Sequence, residues 1–415
     1  MRIRYVTTSF PVYSETFLQR EVRAMRAQGV EMSIVSLHGG EKSFEGMPVM
    51  RFSKWRLLSL VWRLPLLLAT RRGELNRIRR AVFSKPPFWL SFWENLLGLG
   101  AAIVDEKRIR LEKADVIHCA WASAPAAYGW MASNLTGVPF TTGAHAYDVF
   151  EHGGDWMLAE KLNAALLVHT STAAAEAKIE EIVSKDRIRM IHRGLNVLPD
   201  PLEVREQIGK LRIVCVARLV EKKGFPYQFT VYAALKKRGV AFEAMIMGEG
   251  PLRDWMEDEL ERLDLKDEVA LLGRVSQEEV MERLQWADVL LHTGIVAKSG
   301  DRDGLPNVVP EAMASGVVVI GSPVSGVVEA VEDGENGFLA DVEDAELWVE
   351  RCLQVRDDFG LRAKLARNAR DWVEGNFVAE KNTGRLLEEL KKALEGDRRC
   401  SERSDKTGRK VNRTR

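Results

Sequence analysis

The chain has 415 residues, too many for one ordinary hydrophobic core, so two domains are expected. Apolar residues make up 46% and charged residues 29%, the proportions of a soluble globular protein. Lys plus Arg and Asp plus Glu balance at 60 each, which excludes a molecule built as a whole around a polyanion; any attraction must come from local patches.

Short β-branched runs alternate with longer helical patterns, which predicts parallel sheets covered by helices. The chain opens on a strand at residues 3–6, without the charged start, apolar core and cleavage site of a signal peptide, so none is expected. A loop through Pro11 leads to a helix over 16–28, ended by Gly29, and a strand over 30–37. Further strands are expected at 116–118, 139–142, 166–169 and 188–191, with a helix over 124–135. The segment Leu198-Pro199-Asp200-Pro201 has linker chemistry, and the pattern then starts afresh. Strands at 213–216, 242–247, 269–272, 289–291 and 317–320 alternate with helices at 226–237, 252–263, 277–285 and 306–314. That is the layout of a doubly wound domain.

The expected architecture is therefore α/β, with two Rossmann-like doubly wound domains facing each other across a ligand cleft. The first covers 1–198 and the second 199–395, with the last helix packing back on the first. From about Gly396 the chain is basic, with Ser and Thr and almost nothing apolar, so 396–415 is expected to be a disordered tail. No stretch of about 18 uncharged apolar residues occurs, and no transmembrane helix is expected. Cys119, Cys215, Cys352 and Cys400 lie far apart with no metal-ligand spacing. That argues against zinc and against a disulfide framework, and a reducing cytoplasm is the expected compartment.

Three stretches could carry chemistry. In Val216-Ala217-Arg218-Leu219-Val220-Glu221-Lys222-Lys223-Gly224, Arg218 follows the first strand of the second domain and Lys223 precedes a helix. Two cations at the carboxyl edge of a sheet suit a diphosphate, although a solvated charged loop would look the same. In Gly300-Asp301-Arg302-Asp303-Gly304-Leu305-Pro306-Asn307-Val308-Val309-Pro310-Glu311-Ala312, a strand runs into a helix with acids at 303 and 311. Backbone N–H groups there can receive an anion or sugar hydroxyls, and Glu311 could chelate a ribose diol. The turn Gly248-Glu249-Gly250-Pro251 lacks the third glycine of a dinucleotide fingerprint. In the first domain, Thr142-Gly143-Ala144-His145 puts His145 at a strand's carboxyl end; His118, His169, His192 and His292 also end strands and are assigned nothing.

Together these pieces resemble glycosyltransferase family 4, the retaining group with the GT-B fold. The resemblance rests on Arg218-Leu219 with Lys223-Gly224, Gly248-Glu249-Gly250-Pro251-Leu252, Leu272-Gly273-Arg274-Val275, Asp303 to Ala312, and Gly326-Val327-Val328-Glu329 before Asn336-Gly337. More loosely, Phe10-Pro11 with Ser14-Glu15-Thr16-Phe17, Val116-Ile117-His118 with Trp121-Ala122, and Ala144 to Asp148 look like the exopolysaccharide and colanic-acid branch. The resemblance implies that Arg218 and Lys223 hold a donor diphosphate and that Glu311 binds ribose. It puts Gly273 and Arg274 at the base and Gly248 among the donor contacts. Asp303, with the backbone of Gly304, Leu305, Asn307 and Val308, would hold the transferring sugar, faced by His145. It implies a front-face displacement in which the leaving phosphate helps deprotonate the acceptor, with a nucleotide-diphosphate sugar as donor substrate and no cofactor or metal. Three departures stand out: Asp303 is one methylene shorter than the usual Glu, Ser325 replaces the first glycine of a Gly-Gly pair, and Ser14-Glu15-Thr16 stands where many members have a Gly-Gly.

Residues 51–113 are rich in Arg and Lys, with Trp55, Trp62, Trp89 and Trp93 among them. Such a mixture suits the headgroup level of an anionic membrane, and a saccharide or lipid-linked saccharide acceptor could be met there. A buried aromatic core under a solvated Arg face is the other reading, and the sequence leaves both open. Nucleic acid is not expected, because no binding module accompanies the charge. Alternatives to a transferase are a catalytically silent GT-B scaffold and a sugar-nucleotide epimerase.

Overall fold

The computed structural model describes Met1 to Thr407 apart from Ser14, 85–88, 201–203, 207–208 and Ser325; of Glu74, Trp89, Leu90 and 401–407 only the backbone is described. The chain forms two compact units. One comprises Met1–Asn196 and the returning C-terminal helix, and the other Val197–Val378.

The first unit holds an eight-stranded sheet. Its strands are β1 (Arg2–Thr7), β2 (Glu31–Ser36), β3 (Ser43–Phe44), β4 (Met47–Arg51), β5 (Val116–Cys119), β6 (Phe140–Gly143), β7 (Val168–Thr170) and β8 (Ile188–Met190), in the order β3-β4-β2-β1-β5-β6-β7-β8. All pairs are parallel except β3/β4. Both β1 and β5 are buried, and β1 accommodates the charge of Arg4 because Asp105 pairs with it at 3.1 Å. One face packs on the helices Ala124–Thr136 and Trp89–Glu112 through Val6, Ile117, Trp130 and Ala101. The other packs on the helix Thr16–Ala27 and the last helix, Ala379–Thr407.

That last helix returns because it is amphipathic. Leu386, Leu387, Leu390 and Leu394 form one stripe buried with Ile3, Leu18, Val22 and Met25, each leucine contributing about 2 kcal/mol of burial. The expectation of a disordered tail beginning at Gly396 fails for 396–407, where the helix continues to Thr407. Along the first turn of that continuation Arg398 reaches Asp115 at 3.1 Å and Arg399 reaches Glu395 at 3.3 Å, both exposed pairs. The rest of that expectation, 408–415, lies outside the described residues.

The second unit is a six-stranded, wholly parallel sheet. Its strands are β9 (Leu211–Val216), β10 (Phe242–Met247), β11 (Val269–Gly273), β12 (Val289–His292), β13 (Val318–Gly321) and β14 (Phe338–Leu339), in the order β11-β10-β9-β12-β13-β14. Counted from β9, this is the Rossmann order 3-2-1-4-5-6. Strand order reverses between β9 and β12, and the crevice outside their carboxyl ends is where such sheets take ligands. The helices Phe225–Lys237 and Ala345–Asp357 cover one face through Phe229, Tyr232, Trp348 and Cys352. Cys119, Cys215 and Cys352 are buried free thiols and Cys400 is exposed.

Candidate functional site

The β9 and β12 loops meet at the switch point. Lys222 and Lys223 end a single 3-10 turn after β9, and Gly224 follows at φ +65°. A Cβ on Gly224 would lie 1.9 Å from the Thr293 carbonyl oxygen, so only glycine allows the two loops to come this close. Ile295 N–H donates to Lys222 O at 2.8 Å, and Thr293 Oγ1 donates to Lys223 O at 3.1 Å.

This approach knots two lysines to two aspartates. Lys223 Nζ lies 2.5 Å from Asp303 Oδ2. The buried Lys222 Nζ lies 2.9 Å from Asp301 Oδ2 and 3.6 Å from Asp303 Oδ1. His292 Nε2, at the end of β12, is 3.5 Å from Asp303 Oδ2. Burial by itself would raise the Asp303 pKa, but Lys223, the His292 hydrogen bond and Lys222 outweigh it and hold the carboxyl well below the usual range. Asp303 is thus an obligate anion at neutral pH.

Around the knot, Arg218 is exposed and makes no ion pair with a described residue. Its loop is held by Leu219 N–H to Glu249 O at 2.9 Å and Leu252 N–H to Leu219 O at 3.1 Å. Gly248 lies against that same turn, where a Cβ would meet Ala217 O at 1.9 Å, and its N–H donates to Gly273 O at 2.8 Å. Arg274 pairs with Glu249 at 2.9 Å on the surface, a contact worth little by itself. The helix Val308–Ala314 starts two residues later than predicted, because Val309 N–H closes a tight turn onto Pro306 O at 3.0 Å. Glu311 is its fourth residue, buried, and accepts a hydrogen bond from Gln277 Nε2 at 3.3 Å. The N–H groups of Leu305, Asn307 and Val308 donate no backbone hydrogen bond among the described residues.

In the first unit His145, just past β6, belongs to a buried polar cluster. Arg193 pairs with Glu21 and places Nη2 2.6 Å from His145 Nε2. A guanidinium can only donate, so Nε2 accepts and Nδ1 carries the proton of the neutral ring. His145 Nδ1 is buried and meets no partner among the described residues. His169 has the opposite tautomer, its Nε2 donating to Ile191 O at 3.0 Å. Tyr5 donates to Glu21 at 2.8 Å, and His118 Nδ1 lies 2.9 Å from Thr141 Oγ1. Burial, then the Arg193 charge, pushes His145 well below the usual imidazole value; burial likewise lowers His118 and brings His169 down to about 4.

These histidines are neutral when folded and take up protons on unfolding below about pH 6.5. Since the unfolded state binds more protons in that window, stability rises with pH across it. The first unit is expected to lose stability steadily from about pH 6.5 to about pH 4, with His169 alone supplying about 3 kcal/mol of the change. Urea midpoints against pH check this: His169→Asn should flatten the slope, and an unchanged slope would contradict it.

Two family models together match most of the chain. Glycosyltransferase Family 4 matches residues 14–197 and Glycosyl transferases group 1 matches residues 203–372. The chain belongs to glycosyltransferase family 4. The amylovoran biosynthesis glycosyltransferase AmsK of Erwinia amylovora is 27% identical over 414 residues, covering 94% of this chain and 100% of that one. WcaL of Escherichia coli K12, named for colanic acid biosynthesis, is 26% identical over 426 residues with coverage of 94% and 100%. Among solved structures, the Anabaena protein HepE in complex with UDP-glucose superposes with a TM-score of 0.70 at 17% identity, covering 94% of this chain and 100% of that one. The lipopolysaccharide outer core galactosyltransferase WaaB gives 0.67 at 14%, covering 96% and 100%. The fold is GT-B.

Of the residues that the family 4 resemblance singles out, Lys223 and Asp303 are in direct contact, with Arg218 on the same loop as Lys223. Gly248, Gly273 and Arg274 form one neighbouring turn cluster, and Glu311 stands on the helix after the β12 loop. His145 belongs to the first unit and has its own partners there. Sequence reasoning missed Lys222, Asp301 and His292 in the second unit and Arg193, Glu21 and His169 in the first. Lys222 and Asp301 each stand beside a residue of like charge, Lys223 and Asp303, so the sequence alone does not tell which of each pair carries a role. Ser14 and Ser325, both part of the family comparison, lie outside the described residues.

Proposed function

We propose that this family 4 glycosyltransferase moves a sugar from a nucleotide-diphosphate sugar to a saccharide or lipid-linked saccharide, with retention of configuration and without a metal ion, in exopolysaccharide assembly at the cytoplasmic face of a membrane. The observation that carries the reading is the Lys222–Asp301–Asp303–Lys223 knot at the β9/β12 switch point, with Arg218 exposed beside it. In the proposal, Arg218 and Lys223 take the donor diphosphate, with its oxygens competing with Asp303 for the Lys223 ammonium. Lys222 keeps Asp303 in place while this happens. Cations that neutralise the departing phosphate do the work a divalent ion does elsewhere. Glu311 binds the ribose hydroxyls, the backbone at Gly273 and Arg274 meets the base, and Gly248 keeps that turn against the Arg218 loop. Asp303 and the N–H groups of the Gly304, Leu305, Asn307 and Val308 stretch hold the sugar. His145, whose role the family resemblance supplies, is a neutral Nδ1–H donor.

Retention has two routes, a covalent glycosyl-enzyme or a front-face displacement. A carboxylate stabilised this far by two ammonium groups is weakly basic and so a poor nucleophile. That supports the front-face route, with the leaving phosphate accepting the acceptor's proton. The names of the AmsK and WcaL relatives, amylovoran and colanic acid, support an exopolysaccharide product. The UDP-glucose bound to the Anabaena protein makes uridine diphosphate sugars the first donors to try.

The test is calorimetric titration with UDP-, GDP- and ADP-sugars in EDTA, with slow donor hydrolysis followed by NMR. One nucleotide class should bind, and the hydrolysed sugar should appear first as the donor's own anomer. Failure of every nucleotide sugar to bind at millimolar concentration would overturn the donor site. An inverted first product would overturn retention.

A further inference from the structure

Between Gly46 and Gly73 the chain carries Arg51, Lys54, Arg56, Arg63, Arg71 and Arg72 and no Asp or Glu. The 3-10 turn Lys54–Ser59 runs into the helix Leu60–Thr70, and apart from Lys54, Arg56, Ser59, Arg63 and Thr70 the pair is apolar. One side is packed. Leu57 and Leu60 reach the helix Trp89–Glu112 at Gly100, where a Cβ would meet Leu57 Cδ2 and Leu60 Cδ1 at 3.0 Å each. Leu67 is buried on the same side, and Arg56 clamps the turn to Asp105 at 2.7 Å. The other side faces outward: Trp55 is 80% exposed, Val61 76%, Trp62 65%, Leu66 62% and Leu58 61%. Residues 55, 58, 62 and 66 recur at helical spacing, so they form one stripe. The reading of these tryptophans as core is therefore excluded for Trp55 and Trp62, and Trp93 is half exposed as well; the Trp89 side chain lies outside the described residues.

We propose that this stripe docks on an anionic lipid bilayer, deepening the reading of a lipid-linked acceptor and resting on it only for its purpose. Indoles sit at the headgroup level, where ring and N–H meet apolar and wet surroundings together. Lys54, Arg72 and Arg80 are exposed nearby and match a negative lipid surface. Charge argues against a second copy of the chain, because a two-fold contact would bring these cations face to face. None of the described helices is long and apolar enough to cross a membrane, so the contact is interfacial.

The test is cosedimentation of the full chain with vesicles of phosphatidylethanolamine and phosphatidylglycerol, against pure phosphatidylcholine. Binding is expected to the anionic vesicles and to weaken about tenfold or more in each of two variants, Trp55→Ser/Trp62→Ser and Lys54→Glu/Arg72→Glu/Arg80→Glu. Hydrolysis of a soluble nucleotide sugar should be unchanged in both, which reports that the fold is intact. Absence of binding to anionic vesicles overturns the proposal, as do equal binding by wild type and the Trp variant, and a concentration-dependent dimer that the Trp variant abolishes. Vesicle binding without nucleotide-sugar binding would sink the transferase reading and leave this one standing; the reverse pattern would do the opposite.

Discussion

Replacing Lys223 with alanine is expected to lower kcat/KM for sugar transfer by about a thousandfold, the scale of removing one charged group aimed at a departing oxyanion. The reasoning starts from the partners of Asp303. With Lys223 gone, Asp303 keeps Lys222 and His292, so its charge is not orphaned and the sheet should stay folded. The loss should therefore fall on kcat and on donor affinity, with little change in thermal midpoint. Lys222→Ala should behave differently. Lys222 is buried beside Asp301 and Asp303, and its removal takes from Asp301 the one cation it pairs with among the described residues, so stability should fall along with activity. Steady-state kinetics and thermal melts of the two variants separate these outcomes. A loss of less than tenfold in Lys223→Ala would mean that the diphosphate sits elsewhere.

Arg193→Met is expected to destabilise the protein by about 3–5 kcal/mol, because it removes one partner of a buried ion pair. Glu21 is held as an anion in a site where burial alone would raise its pKa; Arg193 is the main reason it stays low, helped by the Tyr5 hydroxyl that donates to it at 2.8 Å. Removing the guanidinium leaves that charge uncompensated, whereas Arg193→Met/Glu21→Gln removes both charges and should recover most of the loss. A purely steric role for Arg193 would not show that recovery in urea titrations. The same substitution carries a second readout. Without the Nη2 donor, His145 Nε2 is free to take the proton, and long-range nitrogen–proton NMR should show the ring leaving the Nδ1–H tautomer. His169, fixed the opposite way by the Ile191 carbonyl, serves as the internal reference. If wild-type His145 already carried its proton on Nε2, the role given to Arg193 would be wrong.

Much of the fold was legible in the sequence because it follows from local periodicity. The strand Phe242–Met247 was read to the residue, and β9, β11, β12 and β13 to within two residues at either end. Each is an apolar run bounded by turn residues, a pattern that survives whatever it packs against. The end of the chain was misread for the same reason in reverse. The composition of 396–407 is that of a tail, but these residues continue a helix whose earlier turns are packed on the first unit, and Arg398 meets Asp115, a partner over two hundred residues away in sequence.

The sequence by itself determined which loops end strands, and hence where Arg218, Lys223, Asp303 and His145 would stand on their own elements. It could not say which charges would touch. Lys222 and Lys223 follow β9 while Asp301 and Asp303 follow β12, and only the strand order puts those two loops side by side. Charge pairs of this range carry no local signal, so the partner of each lysine, the ionised state of Asp303 and the tautomer of His145 were decided by tertiary structure. The same holds for Trp55 and Trp62. An apolar helix reads alike whether a neighbour covers one side or both, and only the packing on Gly100 shows which face was left to the outside.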